Sequence, residues 1–225
     1  MKLLNTIILI IIRLISINGQ DKPEANKVFI VFGGGTAIPS SSGYLTENWN
    51  LGYSATLGIE GSISELFTYT VAQVQFSQLF LDKKSYLHNF FPNISNAKIE
   101  GRNASMLGVW SNLKFKFFDR PKKVFPLLWF GLGFMELIRK EATISNADTT
   151  LTVEKGFDGY LSLTIGLSVQ YNLSETVSVN INSSYIGCAG FLTPQYLDNI
   201  SYYTVNLGVL VSLGKTCPLP TFPTF

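Results

Sequence analysis

Strict alternation of apolar and polar residues is the dominant pattern of this chain. Between residues 160 and 171, leucine, isoleucine, valine or tyrosine occupies each odd position, whereas serine, threonine, glycine and glutamine follow Tyr160 at the even positions. Successive side chains of a β-strand point to opposite faces of the sheet. The segment therefore predicts a strand with one face toward lipid and the other toward a polar lumen.

The same alternation recurs along the chain at about the ten-residue length that a tilted strand needs to cross a bilayer. It blurs at Gly33-Gly34-Gly35 in the first segment, and in the third the apolar parity switches after Val71, which predicts a β-bulge. The predicted strands cover residues 27–36, 51–60, 66–78, 107–117, 128–134, 160–171, 177–185 and 203–213. About eight strands is the smallest usual number for a transmembrane barrel.

The connectors between these segments alternate in length. The turns at 60–65, 119–123 and 172–175 are short, and the long connectors cover 36–50, 79–103, 139–155 and 188–199. Outer-membrane barrels have short periplasmic turns and longer extracellular loops, a division that a soluble β-sandwich does not require. We therefore expect an all-β, antiparallel up-and-down transmembrane barrel with four outward loops and both chain ends in the periplasm.

Aromatic residues cluster near both ends of the predicted strands, as expected for the two interfacial girdles of a barrel. The predicted periplasmic girdle contains Phe67, Tyr69, Phe115, Phe117, Phe125 and Tyr171. The predicted outer girdle contains Trp49, Tyr53, Phe134, Tyr185 and Tyr203. Enrichment of aromatics in any β-strand is the competing explanation.

The N-terminal segment resembles a secretory signal peptide. A basic Met-Lys start precedes an apolar stretch at residues 6–17, which is shorter than the about 20 residues of a membrane helix. We expect a signal peptide at 1–19, a short lead-in at 20–26, the barrel at 27–214 and a proline-rich periplasmic tail at 215–225. Export without a membrane helix points to the cell outer membrane.

Charge content does not favour a nucleic-acid-binding protein, and cysteine content does not favour a scaffold held by disulfides. The chain has 17 basic and 15 acidic residues, a balance that does not favour nucleic acid as a partner. Only Cys188 and Cys217 are present, and the barrel places them on opposite sides of the membrane. Bridged Cα atoms lie within about 7 Å, so we expect no disulfide between them.

Three segments resemble the bacterial outer-membrane β-barrel domain family of Bacteroidetes type, which shares the gross plan of the OmpA transmembrane domain and OmpX. They are the opening strand at 31–39, the Asn-Leu-Gly-Tyr start at 50–53, and Pro-Leu-Leu-Trp-Phe-Gly-Leu-Gly at 126–133. The resemblance implies insertion by the barrel-assembly machinery. Family members usually end their last strand with an aromatic residue, whereas this chain has aliphatic residues at 207–213.

Seven polar residues on the lumen parity are the candidate site residues: Glu60, Asn112, Lys114, Lys116, Gln170, Asn180 and Asn206. A barrel of about eight strands is narrow enough for side chains to fill it. We therefore expect these groups to form a structural polar and ionic network. A narrow ion path lined by the same groups is the alternative.

His88, in the second long loop, is the only histidine and therefore the only candidate for histidine-dependent catalysis. Some lipid-A-modifying enzymes are small outer-membrane barrels, and a Ser–His pair would be needed here. Ser85 and Ser95 are the nearby serines, but neither stands in a recognisable motif with His88. We expect an exposed loop histidine, and neither a metal site nor a cofactor.

These observations predict a small, non-enzymatic outer-membrane barrel that acts as a structural or surface-binding scaffold through its loops. The expected partners are outer-membrane lipid, lipopolysaccharide or a ligand on a host or phage surface, and the assembly machinery. A lipid-A-modifying enzyme and a narrow, porin-like pore are the alternatives. Membrane fractionation separates all of these from a secreted soluble protein.

Overall fold

The fold is described from a computed structural model of the chain. It covers residues 27–40, 44–62, 67–94, 97–101, 103–117, 123–146, 150–190 and 200–215. The predicted signal peptide and lead-in, Cys217, Ser95 and the tail beyond Lys215 lie outside the described residues. Those assignments therefore stay predictions.

The described residues contain eleven strands and two short helices. The strands are β1 Lys27–Pro39, β2 Trp49–Ser62, β3 Phe67–Leu81, β4 Lys98–Gly101, β5 Ala104–Lys116, β6 Val124–Arg139, β7 Ala142–Ser145, β8 Thr150–Val153, β9 Gly156–Asn172, β10 Val177–Gly190 and β11 Ile200–Lys215. The helices are α1 Tyr44–Asn48 and α2 Lys83–Phe90. Neither is long and apolar enough to cross a membrane.

Eight of the strands close into a barrel in the order β1-β11-β10-β9-β6-β5-β3-β2, and all neighbours are antiparallel. Each strand pairs with its neighbour along the chain among these eight, and the first strand pairs with the last. Closure satisfies the backbone groups that an open sheet edge would expose to lipid. The predicted up-and-down transmembrane barrel is confirmed.

The predicted bulge lies in β3. Ile59 pairs with Ala72 and Glu60 with Thr70, so Val71 is an extra residue opposite β2. A single extra residue reverses which face the following side chains occupy. The parity switch read from the sequence therefore has a direct structural cause.

Apolar side chains form the outer surface of the barrel. Leu163, Leu207 and Phe134 are 63%, 66% and 64% exposed, values that a surrounding lipid environment explains. Interfacial aromatics pack side by side on this surface, as Tyr185 and Tyr203 do with ring centroids 5.1 Å apart.

Two residues assigned to the aromatic girdles point inward instead. Trp49 is buried because the register of β2 against β3 is irregular between Asn50 and Tyr53, which turns the start of β2 toward the interior. Phe125 is buried because it shares the inward parity of Leu127 in β6. The girdle assignment was wrong for both.

The barrel wall continues past the membrane on its outer side. Strand β6 has 16 residues and β9 has 17, whereas about 9–11 suffice to cross a bilayer. Above this wall, β4 from the second long loop and β7 and β8 from the third form a separate three-stranded antiparallel sheet. The sequence pattern predicts these segments only as parts of long loops.

Candidate functional site

The inward-facing residues divide the barrel interior into layers along its axis. Near the periplasmic end, Phe125, Leu127 and Leu210 are buried. Polar side chains fill the middle, and this layer is called the polar belt: Ser54, Glu60, Gln73, Asn112, Lys114, Trp129, Thr164, Asn180, Asn182, Thr204 and Asn206. Above it lies an apolar layer that reaches into the loops. Asn112 and Thr204 are 0% exposed, whereas Gln73 and Asn182 are half-buried.

An ion pair between Glu60 and Lys114 is the only charged contact of the belt among the described residues. Both side chains are buried, at 3% and 7% exposure, and they reach each other across the intervening strand β3. Removing two charges from water is costly, and the pair offsets that cost only while both partners are present. The pair therefore ties β2 to β5 inside the barrel.

Amide and hydroxyl groups link further strands across the belt. The Asn112 side chain donates from Nδ2 to Gln73 Oε1 at 3.0 Å and accepts from Thr164 Oγ1 at 3.2 Å. A Cβ atom at Gly131 would collide with Asn112 Oδ1. Glycine at this position of β6 thus provides the space that the Asn112 amide fills.

Asparagine side chains of β10 and β11 also form hydrogen bonds within the belt. Asn180 Oδ1 accepts from Asn182 Nδ2 at 3.1 Å, and Asn206 Oδ1 accepts a short hydrogen bond from Ser54 Oγ. Asn180 and Asn206 are 4% and 5% exposed. Because β1 lies between β11 and β2, the Ser54–Asn206 bond crosses the seam where the barrel closes.

The other two candidate site residues lie nearer the periplasmic end and are only half-buried. Lys116 Nζ sits over the Phe125 ring, 5.6 Å from its centroid. Gln170 donates from Nε2 to Asn172 Oδ1 at 3.3 Å. The structure thus brings five of the seven candidates into the belt and leaves these two below it.

The apolar layer above the belt is one continuous core, called here the outer plug. It contains Ala37, Trp49, Leu79, Leu81, Tyr86, Ile99, Ala104, Met106, Trp110, Met135, Leu137, Ala142, Ile144, Tyr160, Ile186, Cys188, Ile200 and Tyr202. Cys188 is a free thiol, with Sγ 3.7 Å from Met135 Sδ. The expectation of a polar lumen thus holds for the middle of the barrel and is wrong for its outer part.

The sequence carried a signal for the outer plug. At the outer ends of the strands both parities become apolar, as in Phe134, Met135, Leu137 and Ile138 of β6. An apolar residue at a position that faces the lumen indicates that the lumen is apolar at that level. The predicted strands cover only the membrane-spanning part of each barrel strand, so they do not include most residues of the outer plug.

Two loops are built onto the outer plug. Asp82 caps the N-terminus of helix α2, and its Oδ1 accepts from the backbone N–H groups of Lys84 and Ser85, each at 3.1 Å. The backbone N–H of Ser85 holds the pKa of the Asp82 carboxyl below its ordinary value. The helix directs Tyr86 into the plug, where its ring meets Trp49 edge-on at 6.2 Å.

The three-stranded sheet joins the same core through Ile99 of β4 and Ile144 of β7, which are 3% and 1% exposed. This sheet together with α2 is called the cap. On its outer surface, Phe90 and Leu151 are 45% and 41% exposed, and His88 is also exposed. No group of three or more histidine, cysteine or acidic residues in the described part of the chain could hold a metal ion.

Comparison with known proteins supports the fold. No protein-family model and no curated protein matches the sequence. Neisserial surface protein A is 13% identical with a TM-score of 0.51, over 82% of this chain and 96% of that one. A major outer membrane protein from Thermus thermophilus is 12% identical with a TM-score of 0.51, over 83% and 99%. At this identity the likeness establishes a shared fold.

The chain therefore has the fold of small outer-membrane barrels, as the resemblance in its sequence implied. This fold and the apolar band on its outer surface place the protein in the outer membrane, as predicted. The Bacteroidetes-type assignment stays a prediction.

Proposed function

We propose that the protein is a closed scaffold that presents its cap at the cell surface for binding, and that it is neither a pore nor an enzyme. The outer plug is the observation that carries this proposal. One apolar core fills the outer part of the lumen and continues into α2 and the three-stranded sheet. The same packing that closes the barrel therefore fixes the shape of the cap.

The pore alternative is opposed by the way the interior is filled. An ion path requires a continuous polar, hydrated route, and the route here would pass through Met106, Met135, Tyr160 and Ile186, all buried. Below the plug, the Glu60–Lys114 pair and the amide network occupy the belt. The polar belt is thus proposed to be structural.

The enzyme alternative is opposed by the surroundings of His88. Ser85 lies three residues before it on α2, but Asp82, the nearby carboxylate, is engaged by the backbone of the first helical turn. In the described part of the chain, no hydrogen bond joins the His88 imidazole to a hydroxyl or a carboxylate. A nucleophile–base–acid arrangement requires such contacts.

Conductance and lipid chemistry test this proposal together. The full chain refolded into planar bilayers is expected to show no steady conductance. Lipid A incubated with the protein is expected to keep its acyl chains. The same result is expected for the native protein, for His88→Ala and for the control Asn89→Ala, another exposed position of α2. Resolved channel steps would establish the pore, and acyl transfer or loss that His88→Ala abolishes and Asn89→Ala retains would establish the enzyme.

A further inference from the structure

We infer that the polar belt binds one water molecule at a defined site between Trp129 and Asn182. A small cavity of about 20 Å³ is lined by both residues and also by Lys114, Gln73 and Asn206. A cavity needs about 10–15 Å³ to hold one water molecule. The space is therefore sufficient for one water and too small for a file of them.

Two unpartnered polar atoms identify the ligand. Trp129 Nε1 and Asn182 Oδ1 are both buried and have no hydrogen-bond partner among the described residues, and both side chains line this cavity. An indole N–H can only donate, whereas an amide oxygen can only accept. A ligand that accepts from one and donates to the other must carry both functions, as water does.

An ion fits this site less well than water. An anion would face Asn182 Oδ1, and a cation would face the Trp129 N–H and the ammonium of Lys114. The orientation of the Asn182 amide is fixed, because its Nδ2 donates to Asn180 Oδ1 at 3.1 Å. The positive charge of Lys114 is already neutralised by Glu60.

The outer plug offers a matched comparison. Trp110 Nε1 is also buried without a partner among the described residues, but Trp110 does not line the cavity. The two tryptophans thus share burial and chemistry and differ in access to the cavity. If water entered the lumen generally, both indoles would be hydrated.

Nuclear magnetic resonance of the full chain, refolded in detergent micelles with ¹⁵N-labelled tryptophan, tests the site. The Trp129 indole signal is assigned by its loss in Trp129→Phe. We expect a direct water cross-peak at the Trp129 Nε1–H and none at the Trp110 Nε1–H. Absence of the Trp129 peak, or equal peaks at both indoles, overturns the inference.

A pair of variants tests which groups hold the water. Asn182→Leu removes the acceptor at similar volume and should abolish the cross-peak. Ser162→Ala removes a buried hydroxyl that does not line the cavity and lies six residues along β9 from Ser168, the cross-strand partner of Asn182, so this variant should retain the peak. Persistence of the peak in a folded Asn182→Leu barrel overturns the assigned acceptor. If that variant does not fold, the comparison of the two indoles in the native chain decides.

Discussion

A polar side chain can be buried in the barrel interior only where its polar groups find hydrogen-bond partners. Asn112 is 0% exposed and has partners on two other strands, and Met106, farther out on the same strand, is 1% exposed and has no polar group to satisfy. A buried polar group without a partner costs about 1–3 kcal/mol. Polar side chains therefore occur in the belt as a connected set, and the plug above it is apolar.

The Glu60–Lys114 pair gives the sharpest prediction at this scale. Breaking a buried pair by removing one partner typically costs about 3–5 kcal/mol, because an uncompensated charge remains buried. Glu60→Gln and Lys114→Met should each lower the free energy of unfolding by that order. The double variant should cost clearly less than the sum of the two. Equilibrium unfolding in denaturant from lipid vesicles measures all three, and strict additivity would contradict the proposed coupling.

Elements were predictable where a single physical constraint acts along them. Lipid on one side forces apolar residues at every second position, and this identified all eight barrel strands and the bulge after Val71. The constraint ends where the wall leaves the membrane. Trp49 points inward because the register of β2 is irregular there. Strand β4 of the second long loop pairs with β7 of the third, which itself pairs with β8 of the same loop, and no local pattern specifies the pairing between the two loops.

The same contrast existed within the candidate site. Glu60 and Lys114 could be placed on the lumen parity from alternation alone, but that they pair across β3 depends on the register of three strands. Packing of Tyr86 against Trp49 depends on two loops meeting above the barrel. Such contacts depend on the closed fold, so the sequence of a single strand cannot predict them.

The assigned faces of β9 can be tested with adjacent residues. Leu163 is 63% exposed on the lipid side, whereas Thr164 is 5% exposed and donates to Asn112. Arginine at mid-depth on a lipid face costs about 2–4 kcal/mol. Leu163→Arg should therefore lower the free energy of unfolding from vesicles by this amount, and Thr164→Ser, which keeps the hydroxyl, should change it little. Equal tolerance of both substitutions would refute the assignment.

On the scale of the whole molecule, the barrel and its cap are one packed body. Long surface loops usually have few buried apolar contacts and open easily. Here Tyr86, Ile99 and Ile144 from two loops are buried in the same core as the barrel residues Met106 and Met135. A binding surface held this way loses little conformational freedom when a partner docks.

Proteolysis on intact cells tests whether the cap depends on this core. Lys83, Lys84 and Lys98 are exposed, so trypsin can cleave the second long loop only as fast as the local structure opens. Truncating a buried aromatic costs about 3–5 kcal/mol. Tyr86→Ala, 3% exposed in the native chain, should therefore raise the cleavage rate at these lysines by tenfold or more and leave the barrel folded.

The matched control is His88→Ala, an exposed position on the same helix, which should be cleaved at the native rate. Mass spectrometry locates the cuts, and the resistance of the barrel to unfolding by cold detergent shows that its wall is intact. Lys123, in the predicted short turn at 119–123, should stay uncut by external trypsin because that turn is expected to face the periplasm. A native cap that is cleaved as fast as the Tyr86→Ala variant would mean that the loops move independently of the plug, and the rigid surface scaffold would have to be abandoned.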